Sequence, residues 1–402
     1  MPAPERLRSC RDALDGEALV ALAGALIRLP SHPGVERQEE AVAQALAAWL
    51  GERGVVSRLV EVVPGRPNLY ATLRAPGPGP HLMLCGHTDT VPLNAGDPGV
   101  GFRGEVEDGR LVGRGAADMK GALAAMASAL VALRSSGALR HGAVTLAAVV
   151  DEEMQSLGAE HLVRSGERAD AAVVGESTGN RIAVGHRGLE WLEIELTGRA
   201  AHGGRPREGI SAVVGAARFV EACERELPRR FAARTHPVVG PPSFNVGTIR
   251  GGDQPSTVAA RCLLQADRRS VPGESYDGIV AELRELLAAV EAGLPGLSSD
   301  VRRMPGGMAT LEHRALVTPA DHPLVRAAAA ARELECSAAG ELTVFPAWTD
   351  AALLASFADI PAIVLGPGDL GVAHSPRESV AVEELLEAAR LYAATALCFC
   401  DP

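Results

Sequence analysis

The sequence predicts an α/β protein: a mainly parallel sheet flanked by helices, interrupted by a smaller α+β module. Three observations carry this. Residues 81–85, 143–150 and 171–174 are short apolar runs without polar alternation, as in strands buried on both faces. Helical stretches separate them, the order of a parallel α/β sheet. From about Gly185 the pattern changes to strands with one solvated face, and after Pro319 the first pattern resumes.

Taken in order, residues 17–29 are amphipathic at helical spacing, with Leu19, Leu22, Ala23, Leu26 and Ile27 on one side. Residues 38–54 repeat this through Val42, Ala45, Leu46, Trp49 and Leu50, and end at glycine. Strands are expected over 55–63, 68–73 and 81–85, parted by turns such as the Pro/Gly run 76–80. A long glycine-rich loop over 92–114 leads to a small-residue helix over 119–134. Strand 143–150 ends in Asp151-Glu152-Glu153, helix 156–165 follows, and strand 171–174 ends in Gly175-Glu176.

Trp191-Leu192-Glu193-Ile194-Glu195-Leu196 then alternates. Helix 209–227, strands 243–249 and 257–268, helix 276–293 and strand 300–304 complete a ferredoxin-like α+β order. Helix 324–332, strand 361–365 and helix 382–397 belong to the first pattern again. The expected division is a main domain of 1–184 and 316–402, with 185–315 inserted.

With 402 residues the chain exceeds one ordinary core, so two domains are the expectation. Hydrophobic content of 47% and charged content of 22% are those of a globular protein. A net charge of -11 argues against nucleic acid or anionic membrane as the main partner. No apolar run reaches the length of a membrane span, and the charged N-terminus has no signal core. The cytoplasm is the expected compartment. The seven cysteines contain no C-x-x-C pair, so neither a disulfide framework nor a cysteine zinc knuckle is indicated.

Ligands in parallel sheets collect beyond the carboxyl ends of the strands. Three such ends offer His87 and Asp89, Glu152 and Glu153, and Glu176; Asp118 opens a helix, and His374 follows the last strand. Two histidines with several carboxylates suit Zn²⁺, or Mn²⁺ and Co²⁺. Blander readings exist for each. Asp118 alone is an ordinary N-cap, Glu152 and Glu153 a solvated strand end, Glu176 a turn carboxylate and His374 a surface loop residue. Gly113-x-Gly115-x-x-Asp118 lacks the third glycine of a dinucleotide loop, and Ser177 is not flanked as in a nucleophile elbow.

In order, the stretches 86–92, 113–121, 151–153, 175–176 and 373–374 resemble the M20 family of metallopeptidases and deacylases. That resemblance implies a zinc-peptidase-like catalytic domain with an inserted lid and dimerisation domain. It implies two Zn²⁺ ions, one held by His87 and Glu176, the other by Glu153 and His374. Asp118 would bridge them across a cis peptide to Met119, Asp89 would orient His87, and Glu152 would be the general base for a metal-bridging hydroxide. His202, in Ala201-His202-Gly203, matches the family's oxyanion-stabilising histidine, which acts across a homodimer. Arg269, in the run 267–273, matches its substrate-carboxylate arginine. The usual asparagine of the 251–259 stretch is absent, leaving Ser256 or Thr257 to donate. The implied substrate is an N-acyl amino acid, with a glutamate-type carboxypeptidase or a non-catalytic binding member as the alternatives. Trp348 falls where the family lines its substrate pocket, or is a core or surface residue.

Overall fold

A computed structural model describes residues 2–96, 99–307, 311–336 and 341–401. The chain divides into two compact units, Met1–His186 with Thr318–Pro402, and Arg187–Val317. Among the described residues of the larger unit, eight strands form one sheet. Its order is Ser57–Val63, Arg66–Arg74, His141–Val149, Gly77–His87, Ala171–Val174, Ala362–Val364, Ile182–Ala183 and Leu342–Thr343. The four from His141–Val149 to Ala362–Val364 run parallel to one another, as their continuous apolar sequence leads one to expect. Their carboxyl ends therefore share one edge of the sheet. The chain leaves that edge at His87, Val149, Val174 and Val364.

Helices Lys120–Ser136 and Val382–Cys400 pack on each other and on strand Gly77–His87. Lys120–Ser136 is buried almost all round, so its sequence shows little amphipathic period. Leu26, Leu84, Leu123, Leu130 and Leu397 are all 0% exposed, each burial contributing on the order of 2 kcal/mol.

Two local expectations fail, and one helix was not foreseen. Residues 76–80 do not turn, because strand Gly77–His87 already begins there, with the Gly77 N–H donating to Arg140 O at 2.9 Å. Its ladder is irregular until His81, since Pro78 and Pro80 have no N–H to give. The 92–114 loop contains a hairpin, Glu105–Glu107 with Arg110–Val112, to which Ser379–Ala381 adds a third strand. Three-residue strands carry too little pattern to be read. The charged N-terminus forms a helix, Pro4–Asp12, started by a proline in its first turn and burying Leu7 and Cys10.

The smaller unit has an antiparallel sheet in the order Ser243–Gly251, Arg261–Arg269, Glu190–Thr197 and Ser298–Arg303. Helices Ala212–Ala232 and Tyr276–Ala292 pack with it around Phe219, Leu227, Leu283 and Leu287. This is the ferredoxin-like connectivity. Among the described residues no helix is long and apolar enough to cross a membrane.

One backbone approach holds the edge of the main sheet together. A Cβ on Gly366 would stand 2.1 Å from Gly175 O and 2.7 Å from Glu176 O. Gly366→Ala should therefore push apart the segments that follow Val174 and Val364, costing about 1–3 kcal/mol of stability. A thermal melt superimposable on the wild type would contradict that packing.

Candidate metal centre

Five segments bring polar side chains together here, carrying His87 and Asp89, Asp118, Glu152 and Glu153, Glu176, and His374. His87 ends strand Gly77–His87 and is 1% exposed. Its Nδ1 lies 3.0 Å from the Asp89 carbonyl oxygen and 3.4 Å from Asp89 Oδ1. Its Nε2 lies 2.9 Å from Asp118 Oδ1 and 3.5 Å from Glu176 Oε1. The other oxygen of Asp118, Oδ2, lies 3.1 Å from His374 Nε2, which is also 3.0 Å from Glu153 Oε1. One carboxylate thus addresses two histidines with one oxygen each.

Ligand atoms of His87, Glu152 and Glu176 lie within 4.8 Å of one another, and so do those of His87, Asp118 and Glu153. Asp89 belongs to neither group among the described residues. Its carboxylate oxygens instead accept the N–H groups of Glu152, at 3.1 Å, and Glu153, at 3.0 Å. Asp89 therefore ties the histidine segment to the turn carrying both glutamates.

The Asp118–Met119 peptide bond is cis. Met119 is fully buried, and its methyl carbon would meet a Cβ on Gly86 at 2.4 Å, so that glycine makes its room. Sequence reasoning missed the group that pins this loop. Glu378, 0% exposed, accepts the N–H of Gly115 at 2.8 Å and those of Ala117 and Asp118 at 3.2 Å, together with Arg114 Nη1 at 2.6 Å. The available signal was its place four residues after His374. Asp350, a buried carboxyl whose Oδ1 has no hydrogen-bond partner among the described residues, was passed over beside Trp348. Trp348 itself is buried and meets His186 edge-on at 6.1 Å.

The site is electrostatically crowded. Burial, then the Asp118 charge, raises the Glu176 carboxyl well above the usual carboxylate range. Burial likewise raises Glu152 well above that range, with Glu176, Asp350 and Glu153 adding to it and His87 opposing. Asp350 is pushed up to about 7, mainly by burial. Burial would raise Asp118 too, but its hydrogen bonds to His374 and His87 hold it below the usual range. Burial opposes a proton on His87, yet hydrogen bonds to Asp118 and Asp89 raise its pKa well above the ordinary value. His374 is raised to about 10 by its hydrogen bonds to Asp118 and Glu153. Imidazoles held protonated among carboxylates are doing the neutralising that divalent cations would do. The donor set, two imidazoles with several carboxylates, fits such ions.

The remaining candidates lie in the smaller unit. His202 is exposed, pairs by backbone with Thr257, and accepts the Gly204 N–H on Nδ1 at 3.0 Å. Ser256 O accepts the Gly203 N–H at 2.7 Å, and the Thr257 hydroxyl accepts from Gln254 at 3.0 Å. His202, Ser256 and Thr257 are thus together. Arg269 is on strand Arg261–Arg269, its Nε and Nη2 forked to the Asp267 carboxylate at 2.8 and 2.9 Å.

Comparison with known proteins decides the lineage. Residues 83–397 match the description of peptidase family M20/M25/M40. The chain belongs to that family. It is 30% identical to the acetylornithine deacetylase of Vibrio campbellii (strain ATCC BAA-1116) over 87% of this chain and 88% of that protein. It is 32% identical to that of Proteus mirabilis (strain HI4320), over 86% of each. Its fold matches a Bacillus subtilis protein, YXEP, described as a dinuclear metal binding peptidase from the M20 family. That match has a TM-score of 0.69 and 16% identity, and covers 95% of this chain and 98% of the other. This M20 chain is a metal-dependent hydrolase acting on amide bonds.

Metal uptake should depend on pH in a definite direction. The metal-free His374 carries a proton at neutral pH, because its pKa lies at about 10, and that proton must leave before Nε2 can bind a metal. Affinity for Zn²⁺ should rise as pH increases from about 6 to 9, with net proton release. Calorimetry in buffers of different ionisation heat measures this. Proton-neutral, pH-independent binding would refute it.

Proposed function

We propose that the chain is a dinuclear-metal amidohydrolase that removes the acyl group from an N-acyl amino acid, releasing a carboxylate and a free amine. The observation that carries this reading is the Asp118 carboxylate, with Oδ1 toward His87 and Oδ2 toward His374. A carboxylate shared in that way suits two cations on either side of it. His87 and Glu176 would hold one ion and His374 and Glu153 the other, with Asp118 between them. Mixed nitrogen and oxygen donors favour Zn²⁺ and admit Co²⁺ or Mn²⁺. When bound, the ions supply Lewis acidity to the scissile carbonyl and to the attacking water.

The chain's own groups do the rest. Glu152 takes a proton from the water and delivers it to the leaving amine, a task suited to a carboxyl whose burial raises its proton affinity. Asp89 keeps the His87 Nδ1 proton in place, which leaves Nε2 bare for an ion. In the inserted unit, which serves as a lid, His202 hydrogen-bonds the developing oxyanion, with Ser256 or Thr257 beside it. Arg269, braced along one edge by Asp267, offers its other edge to the substrate carboxylate. The similarity to acetylornithine deacetylases supports an N-acyl amino acid as the substrate class.

Glu152→Gln should lower kcat by about 10²–10⁴-fold while metal stoichiometry stays at that of the wild type. Undiminished turnover would remove Glu152 from the chemistry. Acetyl-, succinyl- and formyl-amino acids assayed beside peptides ending in glutamate test the substrate class, and hydrolysis of the peptides alone would replace the deacylase by a carboxypeptidase.

The inserted unit also supplies a surface for self-association. Ser243–Gly251 is an edge strand carrying Ile249, 52% exposed, and helix Ala212–Ala232 exposes Val213 and Val214. We propose a homodimer through this face. Ile249→Glu should yield monomers in sedimentation velocity, and an unchanged sedimentation coefficient would place any dimer contact elsewhere.

A further inference from the structure

Glu152 and Glu153 are adjacent in sequence, yet both carboxylates reach the centre, Glu152 beside His87 and Glu176, Glu153 beside His87 and Asp118. Consecutive residues of a continuing strand would point to opposite faces. The chain avoids this by leaving strand His141–Val149 and turning at Asp151, which has φ +71°, a left-handed conformation that non-glycine residues rarely adopt. The Asp151 carbonyl then accepts the N–H groups of Gln155 at 3.1 Å and Ser156 at 2.6 Å, closing the turn. Glycine would be the default residue at such a position. Aspartate is among the few other residues that tolerate it, and here a partner also grips its side chain.

Arg66 does so. Its Nη2 donates to Asp151 Oδ1 at 2.6 Å, while Nε and Nη2 also fork to Glu39 at 2.7 and 2.5 Å. Side-chain exposures of 0% for Glu39, 15% for Arg66 and 6% for Asp151 make this a shielded triad, not a surface ion pair. Glu39 is the anchor, Arg66 the planar connector and Asp151 the group held. A guanidinium can address two carboxylates in one plane, which an ammonium cannot do in the same geometry.

We propose that Arg66, anchored by Glu39 and acting through Asp151, is the positioning residue that aims the adjacent Glu152 and Glu153 at two different parts of the centre. The inference rests on the reading of Glu152 as base and Glu153 as ligand. Asp89 holds the backbone N–H groups of those two residues, and Arg66 holds the turn that precedes them. Loosening that turn disturbs proton transfer through Glu152 and one metal position through Glu153. Substrate recognition is left alone.

The test uses the full-length chain with Arg66→Lys and Asp151→Asn, three readouts each. Amide hydrogen exchange over residues 152–156 should accelerate at least tenfold, while protection of the core helices is kept. Titration with Co²⁺ alone should show one of two equivalents weakened at least tenfold. Turnover of the panel amides should lose at least tenfold in kcat, with KM within twofold of the wild type. Wild-type exchange over 152–156 together with wild-type Co²⁺ binding, in a variant that merely melts earlier, would make Arg66 a structural residue only and overturn the proposal. If Arg66→Lys does not fold, Asp151→Asn, which leaves the Arg66–Glu39 pair intact, decides by the same readouts. Should the metal-loaded wild type hydrolyse no panel amide, the proposed function fails, and exchange and Co²⁺ titration still judge the positioning role.

Discussion

Carboxylates crowd the carboxyl edge of the sheet more densely than protein charges alone can neutralise. Asp118, Glu152, Glu153 and Glu176 gather around His87, with Asp89 directly behind it. Buried like charges at this spacing disfavour joint ionisation, so protons or cations must be present. In the metal-free chain the imidazoles of His87 and His374 supply them. Lys120, the chain's one lysine, donates its ammonium to Leu29 O at 2.6 Å, with burial pushing its pKa down to about 7. Two imidazoles against Asp89, Asp118, Glu152, Glu153 and Glu176 neutralise only part of this charge, so the arrangement suits more positive charge than its side chains provide.

Holding such groups together requires cross-links between segments that are far apart in sequence. Three polar side chains provide them, each within a few residues of a candidate ligand. Asp89, after His87, takes the N–H groups of Glu152 and Glu153. Glu378, after His374, takes those of Gly115, Ala117 and Asp118. Ser177, after Glu176, donates its hydroxyl to Ala117 O at 2.6 Å. The Asp118 loop thus receives one tie from the His374 segment and another from the Glu176 segment. Buried carboxylates that collect several N–H donors are well solvated by the protein and rigidify the loops they grip.

The residues that touch the centre were readable because they follow strands whose apolar runs are unmistakable: His87 after 82–85, Glu176 after 171–174. The residues that hold those side chains were not. Glu378 sits in Ser375-Pro376-Arg377-Glu378 and Arg66 in Gly65-Arg66-Pro67, both of which read as solvated turns. Whether a charge in a turn is buried depends on what folds over it, and local pattern contains no such information. The ferredoxin-like order was legible because its strands alternate and its helices are amphipathic. The 105–112 hairpin was not, since its strands gain their meaning only from pairing with Ser379–Ala381. Proline at 78 and 80 marked an interruption in a ladder, which sequence alone could not distinguish from a turn.

Proximity by itself does not choose between the base and ligand roles proposed for Glu152 and Glu153, since both carboxylates fall within ligand distance of His87. Environment does. Glu153 has a hydrogen bond from His374 at 3.0 Å, which favours its ionised form and offsets part of the burial that raises its pKa. Glu152 faces burial and three carboxylates, with only the more distant charge of His87 to oppose them, and its pKa is raised much further. An acid that gives up its proton readily is the better ligand, and one that retains it near neutral pH is the better proton carrier. Two adjacent residues of the same type thereby differ in proton affinity by what stands opposite each of them, in the direction that the proposed roles require. That separation needs the turn at Asp151, because a straight strand would have brought only one of them to the centre.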